Sequence, residues 1–128
     1  MILAAALLLS AQPSGTCAAL NLRLTPAVRR AEAARVTSLA GRRVRAPEVS
    51  RVLADGNWRL VFATPADAER GVFVIRRTGS RYRLVDTWGG VLAPDESGAA
   101  AAWARGLPGG GVPRRLANCM NEAILAGE

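Results

Sequence analysis

The chain predicts a single α+β domain, with an N-terminal helical segment, a three-stranded antiparallel meander and C-terminal helices packed on one sheet face. Three observations carry that expectation. Period-two apolar runs at 58–63 (WRLVFA), 72–77 (VFVIRR) and 81–88 (RYRLVDTW) are rich in aromatic and β-branched residues, the signature of half-buried strands. Alanine-rich stretches with helix-boundary residues lie on both sides of them. The length of 128 residues, half of them hydrophobic, fits one modest core.

Taken in order, residues 1–11 (MILAAALLLSA) are apolar but shorter than the roughly 20 residues a membrane span requires. They read as a secretory signal, with the domain beginning at Gln12. Cysteine usage points the same way. Cys17 and Cys119 form an even pair suited to one disulfide in an oxidising compartment, which places the mature protein in the periplasm or outside the cell. A lipidated Cys17 is the alternative, but Ser14, Gly15 and Thr16 do not resemble a lipobox.

Thr25 and Pro26 suit the N-cap and first position of a helix running to Ala40, with Gly41 as a left-handed C-cap. Pro47–Leu53 follows as a short second helix, Glu48 in its first turn and Asp55-Gly56 ending it. Between the first two strands, 64–71 (TPADAERG) reads as one helical turn. Between the second and third, Thr78-Gly79-Ser80-Arg81 is a two-residue hairpin loop that pairs Arg77 with Tyr82, Arg76 with Arg83, Ile75 with Leu84 and Val74 with Val85. Beyond the sheet, 99–105 (AAAAWAR) forms two helical turns and 107–112 (LPGGGV) a flexible connection. Pro113 then opens a helix through about Ala126, with Leu116, Cys119, Met120, Ala123 and Ile124 on one side.

Alternation along the strands sorts the side chains by face. Phe73, Ile75, Tyr82, Leu84 and Trp88, with Trp58, Leu60 and Phe62, are expected on the core face. Asp86 falls on that face by parity and needs a partner such as Arg77. The opposite face then gathers Arg59, Arg76, Arg81 and Arg83 between valines.

Composition excludes several chemistries. There is no histidine, so Ser-His-Asp and Cys-His arrangements and imidazole-ligated metals are ruled out. There is no lysine, so a Schiff base and a Walker A phosphate site are ruled out as well. The cysteines are not a CxxC pair, and no cofactor is implied. The net charge of +7 is carried entirely by arginine on the basic side, and a guanidinium keeps its charge and forks onto carboxylates and phosphates.

The ordinary reading of the four-arginine face is solvated surface. The functional reading is a non-catalytic binding or accessory module that takes an anionic partner there: an envelope lipid headgroup, an acidic polysaccharide or an acidic protein patch. Nucleic acid fits the charge alone, and no nucleic-acid-binding motif supports it. Two alternatives stand beside this: a carboxylate-based hydrolase or metal-dependent enzyme using Asp67 with Glu69 or Asp95 with Glu96, and a membrane-tethered accessory protein. No motif is specific enough to suggest a family.

Overall fold

The computed structural model describes residues 13–127; the expected leader, 1–11, lies outside them. The element order is α1 (Pro13–Leu20), α2 (Pro26–Ala40), β1 (Val49–Asp55), β2 (Trp58–Ala63), β3 (Gly71–Thr78), β4 (Arg81–Gly89), α3 (Ala99–Arg105) and α4 (Arg114–Leu125), with short 3-10 turns at Ala46–Glu48 and Pro94–Glu96. The strands form one antiparallel meander in the order β1-β2-β3-β4.

The α+β expectation holds with one strand more than expected. Residues 49–55 form β1, paired with β2 through Asp55↔Trp58 and Leu53↔Leu60, where a short helix was expected over Pro47–Leu53. Gly56 at φ 58° makes the tight turn, so Asp55-Gly56 opens a hairpin and does not end a helix. The Pro47-Glu48 signal is confined to the 3-10 turn, where the Glu48 carboxylate accepts from the Arg45 backbone N–H at 2.7 Å. A bulge between Val49 and Arg51 breaks strict alternation, which concealed the strand.

The helix boundaries follow their cap residues. The Thr25 hydroxyl accepts from Val28 N–H at 3.1 Å, Pro26 starts α2, and Gly41 at φ 68° closes it with its N–H on the Thr37 carbonyl. Helix α3 has no side-chain cap of its own. Asn121 of α4 serves instead, its buried Oδ1 accepting from Ala101 N–H at 3.0 Å.

Both sheet faces are covered. One packs Leu53, Trp58, Leu60, Phe62, Val72 and Val74 against Ala100 and Ala104 of α3 and Leu116, Met120 and Ile124 of α4. The other packs Val49, Val52, Val61, Phe73 and Ile75 against Ala33 and Val36 of α2. Cys17 and Cys119 are bridged, with Cα atoms 5.4 Å apart across 102 residues of sequence, and join α1 to α4.

The expected division of side chains between faces is therefore corrected. Val61 opposes Phe73 and Leu60 opposes Val74, so Trp58, Leu60 and Phe62 share a face with Val72 and Val74, not with Phe73 and Ile75. The long β2–β3 connection carries no tight turn that would fix this register in the sequence. The β3–β4 pairing matches expectation from the turn as far as Ile75↔Leu84. A bulge at Val85 then pairs Val74 with Asp86 and moves Trp88 to the face of the C-terminal helices, where it meets Trp103 edge-on at 5.3 Å.

Candidate anion-docking surface

Both sheet hairpin turns lie at the same end of the meander, and arginines collect there. Gly79 at φ 64° allows the tight β3–β4 loop, and that loop sets Arg76 opposite Arg83 and Thr78 opposite Arg81. Like charges directly across a strand pair repel, so something must absorb one of them. Arg76 is drawn inward. Its guanidinium lies 5.2 Å from the Trp58 ring centroid and its Nη1 donates to the Gly109 carbonyl at 3.0 Å. Arg81 and Arg83 remain exposed, and neither guanidinium has an ion pair or hydrogen bond among the described residues.

Arg59 is not on this surface. It sits opposite Ile75 on the α2 face, where its Nη1 donates to Oε2 of Glu32, a carboxylate whose side chain is 3% exposed. Arg35 binds the other carboxylate oxygen at 2.6 Å, so one buried acid holds two arginines. The four expected residues thus divide: Arg76, Arg81 and Arg83 share a face, and Arg59 is a structural cation beneath α2 that shares Glu32 with Arg35.

Three participants were not anticipated. Arg35 stacks 4.0 Å from the Tyr82 ring centroid, and Arg77 reaches the same ring at 5.9 Å while its Nε donates to the Gly79 carbonyl at 2.7 Å. Arg77 is exposed and joins Arg81 and Arg83 at the tip. Glu32 gave no signal in sequence, because an acid in the middle of an alanine-rich helix reads as solvated. A hollow of about 410 Å³ borders Thr78, Arg81, Tyr82 and Arg83. Nearby, Arg115 grips Asp55 with two hydrogen bonds of 2.8 Å, which hold the Asp55 carboxyl below its ordinary range.

The expected acidic sites lie elsewhere. Asp67 is exposed, 3.9 Å from Arg42, and Glu69 is exposed beside it. Asp95 and Glu96 occupy the second 3-10 turn, where Glu96 Oε1 accepts from Ala93 N–H at 3.1 Å. Asp86 is exposed, not buried: the Val85 bulge moves it to the face of Val74, and its Oδ1 accepts from Thr87 N–H at 2.8 Å. Among the described residues no group of three or more acidic or cysteine side chains is placed to hold a metal ion, and no helix is long and apolar enough to cross a membrane.

Set against protein families, curated proteins and solved structures, the chain matches none.

Proposed function

We propose that this chain is an exported, non-catalytic binding module that docks an anionic partner on the tip of the β3–β4 hairpin, through Arg81 and Arg83 with Arg76 and Arg77 beside them. The observation that carries the reading is the contrast in partners. Arg59 and Arg35 share the buried Glu32 and Arg115 has Asp55, whereas Arg81 and Arg83 stand adjacent, exposed and without a counter-ion among the described residues. Exposed guanidiniums with no internal acceptor are disposed to fork onto phosphate or carboxylate groups of another molecule. The Cys17–Cys119 bridge and the apolar leader support export, since structural disulfides persist in oxidising compartments.

The test is Arg81→Glu with Arg83→Glu, assayed by flotation with phosphatidylcholine vesicles, with and without phosphatidylglycerol, and by retention on immobilised polygalacturonate. Each basic residue near an anionic surface contributes about 1 kcal/mol, so the double reversal is expected to weaken binding by tenfold or more. Equal binding by the variant overturns the proposal. The two matrices separate a lipid headgroup from an acidic polysaccharide.

A further inference from the structure

At the end of the sheet away from the hairpin tips, helix α2 stops short of the strands it covers. The chain turns away at Gly41, while β3 and β4 continue through the pairs Phe73↔Thr87 and Gly71↔Gly89. The result is a hollow of about 600 Å³, within the range of roughly 300–1,000 Å³ typical of small-ligand sites. Its floor is a cross-strand pair of glycines beside the Phe73 ring, and Leu84 forms part of its wall.

The two glycines differ in what they need. A β-carbon at Gly71 would lie 3.2 Å from the Trp88 carbonyl oxygen and 3.4 Å from Thr87 Cγ2, so packing accounts for that residue. A β-carbon at Gly89 would meet nothing within 4 Å, and Gly89 does not have the left-handed backbone that requires glycine; Gly90, at φ 92°, supplies the turn. Gly89 is the last residue of β4 and lines the hollow, and neither packing nor backbone geometry calls for glycine at that position. Here its effect is to keep the hollow open.

The rim is basic. Arg42 and Arg70 line the hollow with Glu69 as the one carboxylate, which leaves one positive charge. Arg70 donates to the neutral Gly127 carbonyl and forms no ion pair among the described residues. Among the described residues Arg42 has only the 3.9 Å approach of Asp67, between side chains that are 52% and 73% exposed, a geometry of little strength in water.

From this combination we propose that the hollow binds a small amphiphilic monoanion, with a flat aryl or short acyl body over Gly71, Gly89 and Phe73 and a carboxylate or sulfonate at Arg42 and Arg70. This site is separate from the arginine hairpin and does not depend on it.

The test is a fluorescence titration of the full chain with anilinonaphthalene sulfonate, an aryl monoanion, and with its neutral counterpart N-phenyl-naphthylamine. Circular dichroism melting serves as the check that each variant is folded. The expected result is one sulfonate probe per chain, with affinity falling about tenfold or more in Gly89→Leu, whose side chain fills the hollow. Arg42→Gln, which leaves the floor untouched, is expected to weaken the sulfonate probe about threefold or more and to leave the neutral probe unchanged. No saturable binding to the native chain, or a smaller loss in Gly89→Leu, overturns the site. An equal effect of Arg42→Gln on both probes overturns the assignment of the anion to the rim.

Discussion

Arg59 and Arg76 lie on adjacent paired strands and serve opposite faces of the sheet: Arg59 is opposite Ile75 and bonded to Glu32 under α2, and Arg76 is opposite Trp58 and bonded to the Gly109 carbonyl. One residue of register separates a half-buried structural cation from a member of the basic tip. Their surroundings differ in kind, since Arg59 shares the Glu32 carboxylate with Arg35 and Arg76 has an aromatic face and a carbonyl.

Glu32→Ala is expected to destabilise the fold by about 3 kcal/mol, because it leaves Arg59 and Arg35 partly buried without their shared acid. In a chain of this size that is a fall of about 10 °C in the melting temperature. Replacing all three by apolar residues of similar size should recover much of the loss, since the cost comes from the stranded charges. A Glu32→Ala melt within a degree or two of the native one would show that water, not Glu32, solvates these arginines. Vesicle or polygalacturonate binding at Arg81 and Arg83 should be unaffected by the exchange.

Reducing the Cys17–Cys119 bridge, or replacing both cysteines by serine, should lower the melting temperature markedly while leaving the sheet in register. The bridge spans 102 residues, and the chain-entropy treatment of a loop of about that length gives an upper figure of about 4.7 kcal/mol. Because α4 also buries Leu116, Met120 and Ile124 against the sheet, the reduced chain should still fold at room temperature. Melts with and without a reductant measure the difference directly.

Much of the architecture was legible because local chemistry specified it. Thr25-Pro26 and Gly41 gave both ends of α2, Pro113 opened α4, and the Gly79-Ser80 loop fixed Arg76 opposite Arg83 and Arg77 opposite Tyr82. What was not legible depends on distant contacts. Nothing near Val85 announces its bulge, which moved Asp86 and Trp88, and nothing in the 64–70 connection sets which face Arg59 takes. The strand β1 escaped for a second reason besides its bulge, which is that each of its faces carries fully buried residues. Val52 and Leu53 are adjacent and 0% and 1% exposed, so the alternation that identifies a half-buried strand is absent. Of the basic site, the hairpin arginines were readable from turn chemistry, whereas the role of Glu32 required knowing what α2 packs on.

Asp55 and Arg115 give the fold a dependence on pH with a definite sign. The hydrogen bonds from Arg115 lower the Asp55 carboxyl in the folded state, so the ionised form is favoured by folding. Their contribution is present above the ordinary carboxylate range and is lost as pH falls through the lowered folded value. Asp55→Asn should therefore melt below the native chain at neutral pH, and the two melts should converge in strong acid. A constant difference across the titration would mean that the loss comes from the β1–β2 turn and not from the charge.

Gly109 and Gly110 have nearly the same backbone, at φ 85° and 88°, and different surroundings. A β-carbon at Gly109 would overlap the Arg76 guanidinium, whereas one at Gly110 would meet nothing within 4 Å. Alanine at either position incurs the left-handed penalty of about 1–2 kcal/mol, so Gly110→Ala measures backbone strain alone. Gly109→Ala adds the displacement of Arg76 from its carbonyl acceptor and from the Trp58 ring. It should be the more destabilising of the two by about 1 kcal/mol or more, since the hydrogen bond from a charged donor lies at an exposed position where water recovers part of its worth. Melting of the two variants gives the difference, and a change in tryptophan emission confined to Gly109→Ala would trace it to Trp58. Equal melts for the two would mean that Arg76 gains nothing from the 109–111 turn. Arg76 would then behave as a third exposed arginine beside Arg81 and Arg83, and the repulsion across Arg76↔Arg83 would be relieved by water alone.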